Sequence, residues 1–218
     1  MVIPSLGAQR DIRNRNETQH LLNQAKEALI GYAVVNRHFP CPDTSDFPNG
    51  EENRVVAAGV NGCQADEGIL PWKTLGIENT DAWNHYFGYR VDATFSNVVV
   101  VTGATFAIDD AEGASLIELK DELGADLVSA GSRPAAVVFS HGANGRGATN
   151  TSQVVAPNNK QPLPPATALD EIENTDGDLV FVTHPPTLIN STNEFDDMLV
   201  WVPPKILINR MVISGRLP

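Results

Sequence analysis

Apolar residues near the start of the chain recur at three- and four-residue steps, the spacing of one face of an α-helix. They are Leu21, Leu22, Ala25, Ala28, Leu29, Tyr32, Ala33 and Val35. The pattern predicts a helix from about Ser5 to Asn36, about 45 Å long at 1.5 Å per residue. Such a helix can bury one narrow apolar stripe against the rest of the protein.

Runs of β-branched and aromatic residues further along the chain predict strands. Residues 81–92 alternate aromatic and small residues, as a strand does, and the valine-rich runs at 96–108 and 135–142 predict two central strands. Between these runs, residues 114–131 space their leucines as a helix would, so a short helix or a loop insertion is expected there.

The last part of the chain carries clear turn signals. An Asp-Gly pair at residues 176–177 precedes a predicted strand. Pro203-Pro204 separates a final strand or turn from a short apolar helix that should end at Gly215. Residues 40–70 and 143–168 are rich in loop-forming residues.

These elements predict an α+β fold: a long N-terminal α-helix packed on a mostly antiparallel β-sheet, with a disulfide-closed loop between them. We divide the chain into a spine helix (residues 1–39) and a globular head (residues 40–218). Trp72 and Leu75 are expected to be buried in the head.

Composition, charge and the absence of common motifs argue against several classes of function. The chain has 218 residues, of which 42% are hydrophobic and 19% charged, as in a globular protein. Its net charge of -12 argues against nucleic-acid binding, because phosphate contacts need Lys and Arg. The sequence has no P-loop, no zinc-ligand cysteine spacing and no dinucleotide-binding glycine pattern. It also carries neither a transmembrane segment nor a signal peptide.

Two cysteines, Cys41 and Cys63, lie in a stretch rich in Pro, Gly and Asn. They are either free thiols or a disulfide that closes a weak loop, and the setting favours the disulfide. A loop of this size gains about 3 kcal/mol of stability from closure. A disulfide implies an oxidising compartment. The apolar residues 2–8, which meet a polar stretch abruptly, indicate the tail of a segment that has been removed.

Ser140 and His141 are the residues that most suggest hydrolytic chemistry. A nucleophile elbow needs glycine two residues before the serine, and Val138 stands there. Neighbours on a strand also point to opposite faces, so the two side chains should not meet. The acidic pairs at 109–110 and 196–197 are more typical of solvated loops than of acid–base catalysis. We therefore expect no enzyme activity.

The order of several segments resembles the prepilin-like proteins of bacteria, the type IV pilins and the pseudopilins of type II secretion systems. An Asp-x-Trp segment leads into a Tyr-rich strand, a Ser-x-Gly-x-Asn-Gly loop follows, and an acidic pair precedes a Trp. These residues are Asp81, Trp83, Tyr86 and Tyr89; Ser140, Gly142, Asn144 and Gly145; and Asp196, Asp197 and Trp201. The resemblance leaves gaps over residues 93–134 and 148–190, and only the ordered set is specific.

The resemblance implies a structural subunit of an extracytoplasmic filament, either a type IV pilus or a type II secretion pseudopilus. Its partners would be other subunits, bound through the spine helix. It would be anchored in the bacterial inner membrane with a periplasmic head, and become periplasmic or extracellular in the filament. The family's peptidase site and apolar helix are absent here, so we expect the native gene to encode about 20 further apolar residues before Val2. A large insert before Ser140 leaves a major or minor role open.

The resemblance also implies a calcium candidate at Ser140, Asn144, Asp196 and Asp197. Two loops could offer the oxygen ligands that calcium takes. Arg146 could instead pair with Asp196 or Asp197 and replace the ion, and we expect this contact, or plain solvation, with no cofactor.

The alternative function is a periplasmic ligand-binding protein or hydrolase that uses the Ser140–Asn144 loop. A pocket lined by His and carboxylates would favour this alternative. A protruding helix with an exposed apolar stripe would favour the filament.

Overall fold

The computed structural model of the protein describes residues 6–152, 159–187 and 191–216. In chain order its helices and strands are α1 (Leu6–Asn36), β1 (Arg54–Ala57), β2 (Val60–Cys63), β3 (Glu67–Ile69), α2 (Trp72–Leu75), β4 (Gly88–Val91), α3 (Ala93–Ser96), β5 (Val98–Val99), β6 (Glu118–Lys120), β7 (Ala136–Ser140), α4 (Leu169–Glu173), β8 (Val180–Val182), β9 (Met198–Val202) and α5 (Pro204–Ile213). The predicted α+β class and the predicted N-terminal helix are confirmed.

The central sheet is antiparallel, with the strand order β3-β4-β7-β9. Its middle register aligns Val138 of β7 with Tyr89 on one side and Val200 on the other. A second antiparallel sheet has the order β1-β2-β5, and β6 pairs with β8 in parallel. The sheets are therefore mostly antiparallel, as predicted, with one parallel pair.

Both faces of the central sheet are covered. Because side chains alternate along a strand, Tyr89, Val138 and Val200 point to one face, where α1 and α5 pack on them. The residues that the two helices bury there are Leu22, Ala25, Leu29, Ile30, Ala33, Leu207, Ile208 and Met211. Phe139 and Leu199 point to the other face and pack against the layer formed by β6 and β8.

Helix α1 is exposed at one end and embedded at the other. Residues 7–13 are exposed on every side, whereas Thr18, Leu22 and Leu29 are fully buried. The exposed side chains of its middle turns are polar: Asn16, Glu17, Gln19, His20, Asn23, Gln24 and Glu27. The helix protrudes, but its solvent face carries no continuous apolar stripe over the described turns.

Within the described ranges, no helix has both the length and the apolar character needed to cross a bilayer. Of the apolar residues 2–8, which were predicted to be the tail of a removed segment, residues 2–5 lie outside the described residues and residues 6–8 begin α1.

The valine-rich run at 96–108 does not form the central strand that was predicted. Asp92 instead caps α3, its side chain accepting a hydrogen bond from the Thr94 N–H at 2.9 Å. The strand that follows, β5, has two residues and lies at the edge of the small sheet. Val100 and Val101 stay exposed, because nothing in the described chain covers them.

Three other predictions are refined. Of the two alternatives for residues 114–131, the structure shows the loop insertion, which carries the short strand β6, with Ile117 and Leu119 buried on alternate positions and Leu123 in an exposed turn. The loop-rich residues 40–70 also hold three short strands, β1 to β3. Trp72 and Leu75 form α2 and are only partly buried.

The predicted exposed loop at 143–168 is partly internal. Ala148 and Asn159 are buried there, and residues 153–158 lie outside the described part. The short helix α4, which follows this segment, was not predicted.

Candidate functional site

Ser140 ends β7 in the core and has no solvent exposure. Its hydroxyl donates to Asp81 Oδ2 at 2.6 Å and accepts a hydrogen bond from the Gly142 N–H at 3.2 Å. The other oxygen of Asp81 accepts the N–H groups of Trp83 and His85, both at 2.9 Å. Ser140 thus ties the end of β7 to the 81–85 turn.

The same geometry bears on hydrolysis. His85 Nδ1 lies 3.8 Å from Asp81 Oδ2, so the carboxylate stands between the serine and the nearest histidine in this group. A triad needs the histidine between the serine and the acid. His141 packs edge-on against Phe139, with its Nδ1 3.8 Å from Asp197, not against Ser140. These contacts favour a structural role for Ser140.

The glycine-rich loop after Ser140 turns tightly around Asp196. Gly142 has φ of 60°, and a Cβ at this position would lie 2.3 Å from Asp196 Oδ1, so only glycine fits. This close approach lets the Asn144 N–H donate to Asp196 Oδ2 at 2.9 Å. The Asn144 side-chain amide donates to Glu171 Oε1 at 2.6 Å.

Glu171, Asp196 and Asp197 form a carboxylate cluster whose oxygens lie within 4.8 Å of one another. Glu171 and Asp197 are almost fully buried. Asp197 Oδ2 accepts a hydrogen bond from Asn174 at 2.9 Å. Asp196 Oδ1 is buried and has no hydrogen-bond partner among the described residues.

Burial is the main reason why the pKa of Asp196 rises to about 7, and the charges of Asp197 and Glu171 raise it further. The Asn144 N–H and the Arg15 guanidinium oppose this rise. The pKa of Glu171 is also raised, first by burial and then by Asp197. The carboxylate cluster therefore binds a proton near neutral pH unless a cation replaces it.

Two arginines lie at the edge of the carboxylate cluster. Arg146 pairs with Glu171 at 3.4 Å and with Glu194 at 3.2 Å. The expected partner, Asp196 or Asp197, is thus replaced by two glutamates. Arg15 of α1 donates to the backbone carbonyl of Asp196 at 3.2 Å, so the cluster also holds the helix to the head.

Of the four predicted calcium ligands, Asp196 and Asp197 come together. Asn144 contacts Asp196 and Glu171 as a donor. The Ser140 hydroxyl donates to Asp81 instead. Sequence reasoning missed Glu171, which α4 brings in from a segment with no metal-binding spacing. Three carboxylates and an unpartnered oxygen are hard ligands of the kind that calcium prefers. Glu171, Asp196 and Asp197 are the residues that would hold such an ion.

A second polar feature lies on the face of the central sheet opposite α1. It is a cavity of about 370 Å³ whose lining includes Glu67, Tyr86, His141 and Lys160. Three of its lining residues carry a buried polar atom without a hydrogen-bond partner in the described chain: His141 Nδ1, Thr149 Oγ1 and Asn159 Oδ1. Its volume is within the range of small-molecule sites.

The end of α1 is fixed to the head around Arg54. This guanidinium pairs with Glu52 at 2.7 Å, and Tyr32 of α1 donates to the other oxygen of Glu52 at 3.0 Å. Arg54 also donates at 2.8 to 3.1 Å to the backbone carbonyls of Phe39, Asn61 and Ser96. We call Tyr32, Glu52 and Arg54 the junction cluster.

The predicted disulfide joins Cys41 to Cys63, with Cα atoms 5.1 Å apart. It lies beside the junction cluster, since the Cys41 N–H donates to Glu52 Oε2 at 3.0 Å. Burial lowers the pKa of nearby His38, whose Nδ1 lies 2.7 Å from Arg54 Nη2 and 2.9 Å from the Phe39 carbonyl oxygen. The disulfide and these polar contacts together fix where the helix ends and the head begins.

Comparison of the chain with protein-family models, with curated proteins and with solved structures found no match.

Proposed function

We propose that the protein is a structural subunit of an extracytoplasmic bacterial filament, of the type IV pilus or type II secretion pseudopilus kind. The observation that carries the proposal is the asymmetry of α1. Its 31 residues form one helix that protrudes at the N-terminal end and is embedded at the other, where Leu22, Leu29 and Ala33 are fully buried. A helix of this form can join a neighbouring subunit while its own head stays folded.

The attachment of α1 to the head supports this role. A subunit that bears load must transmit force from the helix to the head. The junction cluster and the Cys41–Cys63 disulfide hold one end of the helix, and Arg15 contacts the Asp196 segment nearer the other end. In this proposal Asp196 and its neighbours position the glycine-rich loop and α1 and do not catalyse a reaction.

The disulfide also supports a location outside the cytoplasm, because reducing conditions inside most bacteria keep thiols reduced. We propose that the head lies in the periplasm before assembly, that an inner-membrane segment precedes α1, and that other pilin or pseudopilin subunits are its partners.

The test is assembly in cells that produce the native protein. Ile12 is 56% exposed on the protruding end of α1. We expect Ile12→Asp to remove the protein from the sheared, sedimentable filament fraction while the head still folds and forms its disulfide. Leu123→Asp, at a loop position outside α1 whose side chain is 86% exposed, is the control and should assemble normally. Equal sedimentation of both variants, or no filament fraction with the parent protein, would contradict the proposal.

One observation favours the second candidate, a periplasmic ligand-binding protein. It is the cavity with its unpartnered His141, Thr149 and Asn159. A nuclear magnetic resonance screen with sugars and amino acids tests it. Binding that shifts the His141 resonances and is lost in Thr149→Val would support this candidate. If none of the compounds binds, this candidate is wrong.

A further inference from the structure

The cavity on the face of the central sheet opposite α1 has a floor made by three neighbouring strands. The register aligns Gly88 of β4 with Ile69 of β3 on one side and with Phe139 of β7 on the other. Residues paired in this way point to the same face of a sheet. A Cβ on Gly88 would lie 2.2 Å from Phe139 Cζ, so the Phe139 ring lies across the glycine. Ile69 and Phe139 therefore give the cavity an apolar floor.

One wall of the cavity comes from the segment on either side of residues 153–158. Thr149 and Lys160 form an antiparallel bridge, and the Asn150 N–H donates to the Asn159 carbonyl at 2.9 Å. The Tyr86 N–H donates to the Thr149 carbonyl at 2.9 Å, which fixes this wall to the chain just before β4. Because these bonds use backbone atoms, the side chains of Thr149 and Asn159 are held in place without being used.

Three polar side chains in the lining are buried without a partner. His141 Nδ1, Thr149 Oγ1 and Asn159 Oδ1 have no hydrogen-bond partner among the described residues. The three residues are 7%, 4% and 1% exposed, so bulk solvent does not reach them freely. A buried polar group without a hydrogen bond costs about 1–3 kcal/mol. Three such groups around one cavity indicate a ligand that carries several hydrogen-bonding groups.

The charged residues of the lining indicate that this ligand is neutral. Asp43 accepts three backbone N–H groups at 2.7 to 2.9 Å, and Glu67 pairs with Arg90 at 3.0 Å. The two other Asp, Glu, Lys or Arg residues among the described lining, Asp46 and Lys160, are exposed. The buried part of the lining thus offers free hydrogen-bonding groups but no free carboxylate, ammonium or guanidinium. A charged ligand would lose its water there without gaining a buried counter-charge.

We propose that this cavity binds a small neutral ligand with several hydroxyl groups, of the monosaccharide kind. One sugar hydroxyl can donate to Asn159 Oδ1 while it accepts from the Thr149 hydroxyl, and a second can pair with His141 Nδ1. The apolar face of the sugar ring packs on Ile69 and Phe139. The proposal rests on the second candidate function, ligand binding, and names its ligand class. It does not depend on filament assembly.

A titration followed by nuclear magnetic resonance tests this, with glucose, galactose and mannose as neutral sugars and with alanine and glutamate as charged comparisons. We expect at least one sugar, and neither amino acid, to shift the His141 ring resonances in a saturable way. Thr149→Val should weaken sugar binding about tenfold, because a buried sugar hydroxyl loses its partner. Thr149→Ser keeps the hydroxyl and should bind within about twofold of the parent.

The matched control is Thr102→Val, the same change at an exposed loop residue outside the lining, which should bind as the parent does. Melting curves check that each variant is folded, and the His141 shift in the parent tests binding even if Thr149→Val does not fold. Sugar binding that Thr149→Val retains in full, or that Thr149→Ser loses to the same extent, would overturn the assigned contacts.

The remaining outcomes separate this proposal from the proposed functions. If only an amino acid shifts the His141 resonances, the ligand class is wrong and the second candidate function stands. If no compound binds, this proposal and the second candidate both fail. The filament function is then unaffected, because it is tested by assembly.

Discussion

The raised pKa of Asp196 makes the stability of the protein depend on pH, and the direction of the effect is unusual for a carboxylate. Folding raises this pKa from 3.8 to about 7. Between these values the folded protein binds more protons than the unfolded chain, so stability falls as the pH rises. The contribution is complete below pH 3.8, is lost progressively up to about pH 7, and then stays constant.

The magnitude follows from the same values. At 1.36 kcal/mol for each pH unit, the full shift corresponds to ~4 kcal/mol. Only the part of this change between pH 5 and about pH 7 falls within the range tested, and Asp196 is partly exposed, so solvent screening reduces the effect further. We expect a loss of about 2 kcal/mol in the free energy of unfolding between pH 5 and pH 8.

Urea unfolding of the parent and of Asp196→Asn, at pH 5, 6, 7 and 8 with a chelator present, measures this loss. The difference between the two proteins cancels the opposite contribution of His38, whose lowered pKa makes stability rise with pH below 6.5. Because Glu171 is coupled to Asp196, the difference reports on both carboxyl groups. Asp196→Asn should become more stable relative to the parent as the pH rises. A difference that is constant with pH would refute the reasoning.

Three further predictions concern the carboxylate cluster, the disulfide and Ser140. At pH 8 calcium should leave the melting temperatures of the parent and of Asp197→Asn unchanged, because Arg146 already pairs with Glu171 in the carboxylate cluster. A rise in the parent that Asp197→Asn lacks would show that the cluster binds calcium. Replacing Cys41 and Cys63 by Ser should lower the free energy of unfolding by about 3 kcal/mol and speed amide exchange at residues 41–63, while the central sheet stays protected. Unchanged exchange at residues 41–63 would show that the disulfide does not hold this segment. Ser140→Ala should destabilise the fold by about 2 kcal/mol, because the Asp81 carboxylate loses a buried hydrogen-bond donor. Any turnover in an esterase and peptidase screen should not change in this variant. A turnover that the parent shows and Ser140→Ala lacks would show that Ser140 is catalytic.

The features that sequence predicted are those set by local pattern. The helix predicted from about Ser5 to Asn36 is confirmed over Leu6–Asn36, because the apolar residues from Leu21 to Val35 recur at helical spacing and bury one side of the helix. Cys41 and Cys63 had one possible pairing. The run at 135–142 became β7, since a buried central strand needs an apolar side chain on both faces.

The features that could not be predicted from the sequence depend on where a segment lies in the folded structure. The valines at 98–101 have the composition of a central strand, but composition does not say whether a strand lies in the middle of a sheet or at its edge. The leucines at 116, 119, 123 and 127 fit a helix period, yet Leu119 is buried in a strand and the others face solvent. Glu171 carries no signal that it joins Asp196, because the contact forms only when α4 folds back onto the loop.

In the proposed filament, α1 joins one subunit to the next. Helical reconstruction by electron cryomicroscopy of fibres sheared from cells that produce the native protein shows where α1 lies. We expect α1 of successive subunits to lie side by side along the fibre axis, with the heads outside and the Cys41–Cys63 loop where each helix leaves the axis. Fibres with α1 on their outer surface, or a protein found only as single molecules, would contradict it.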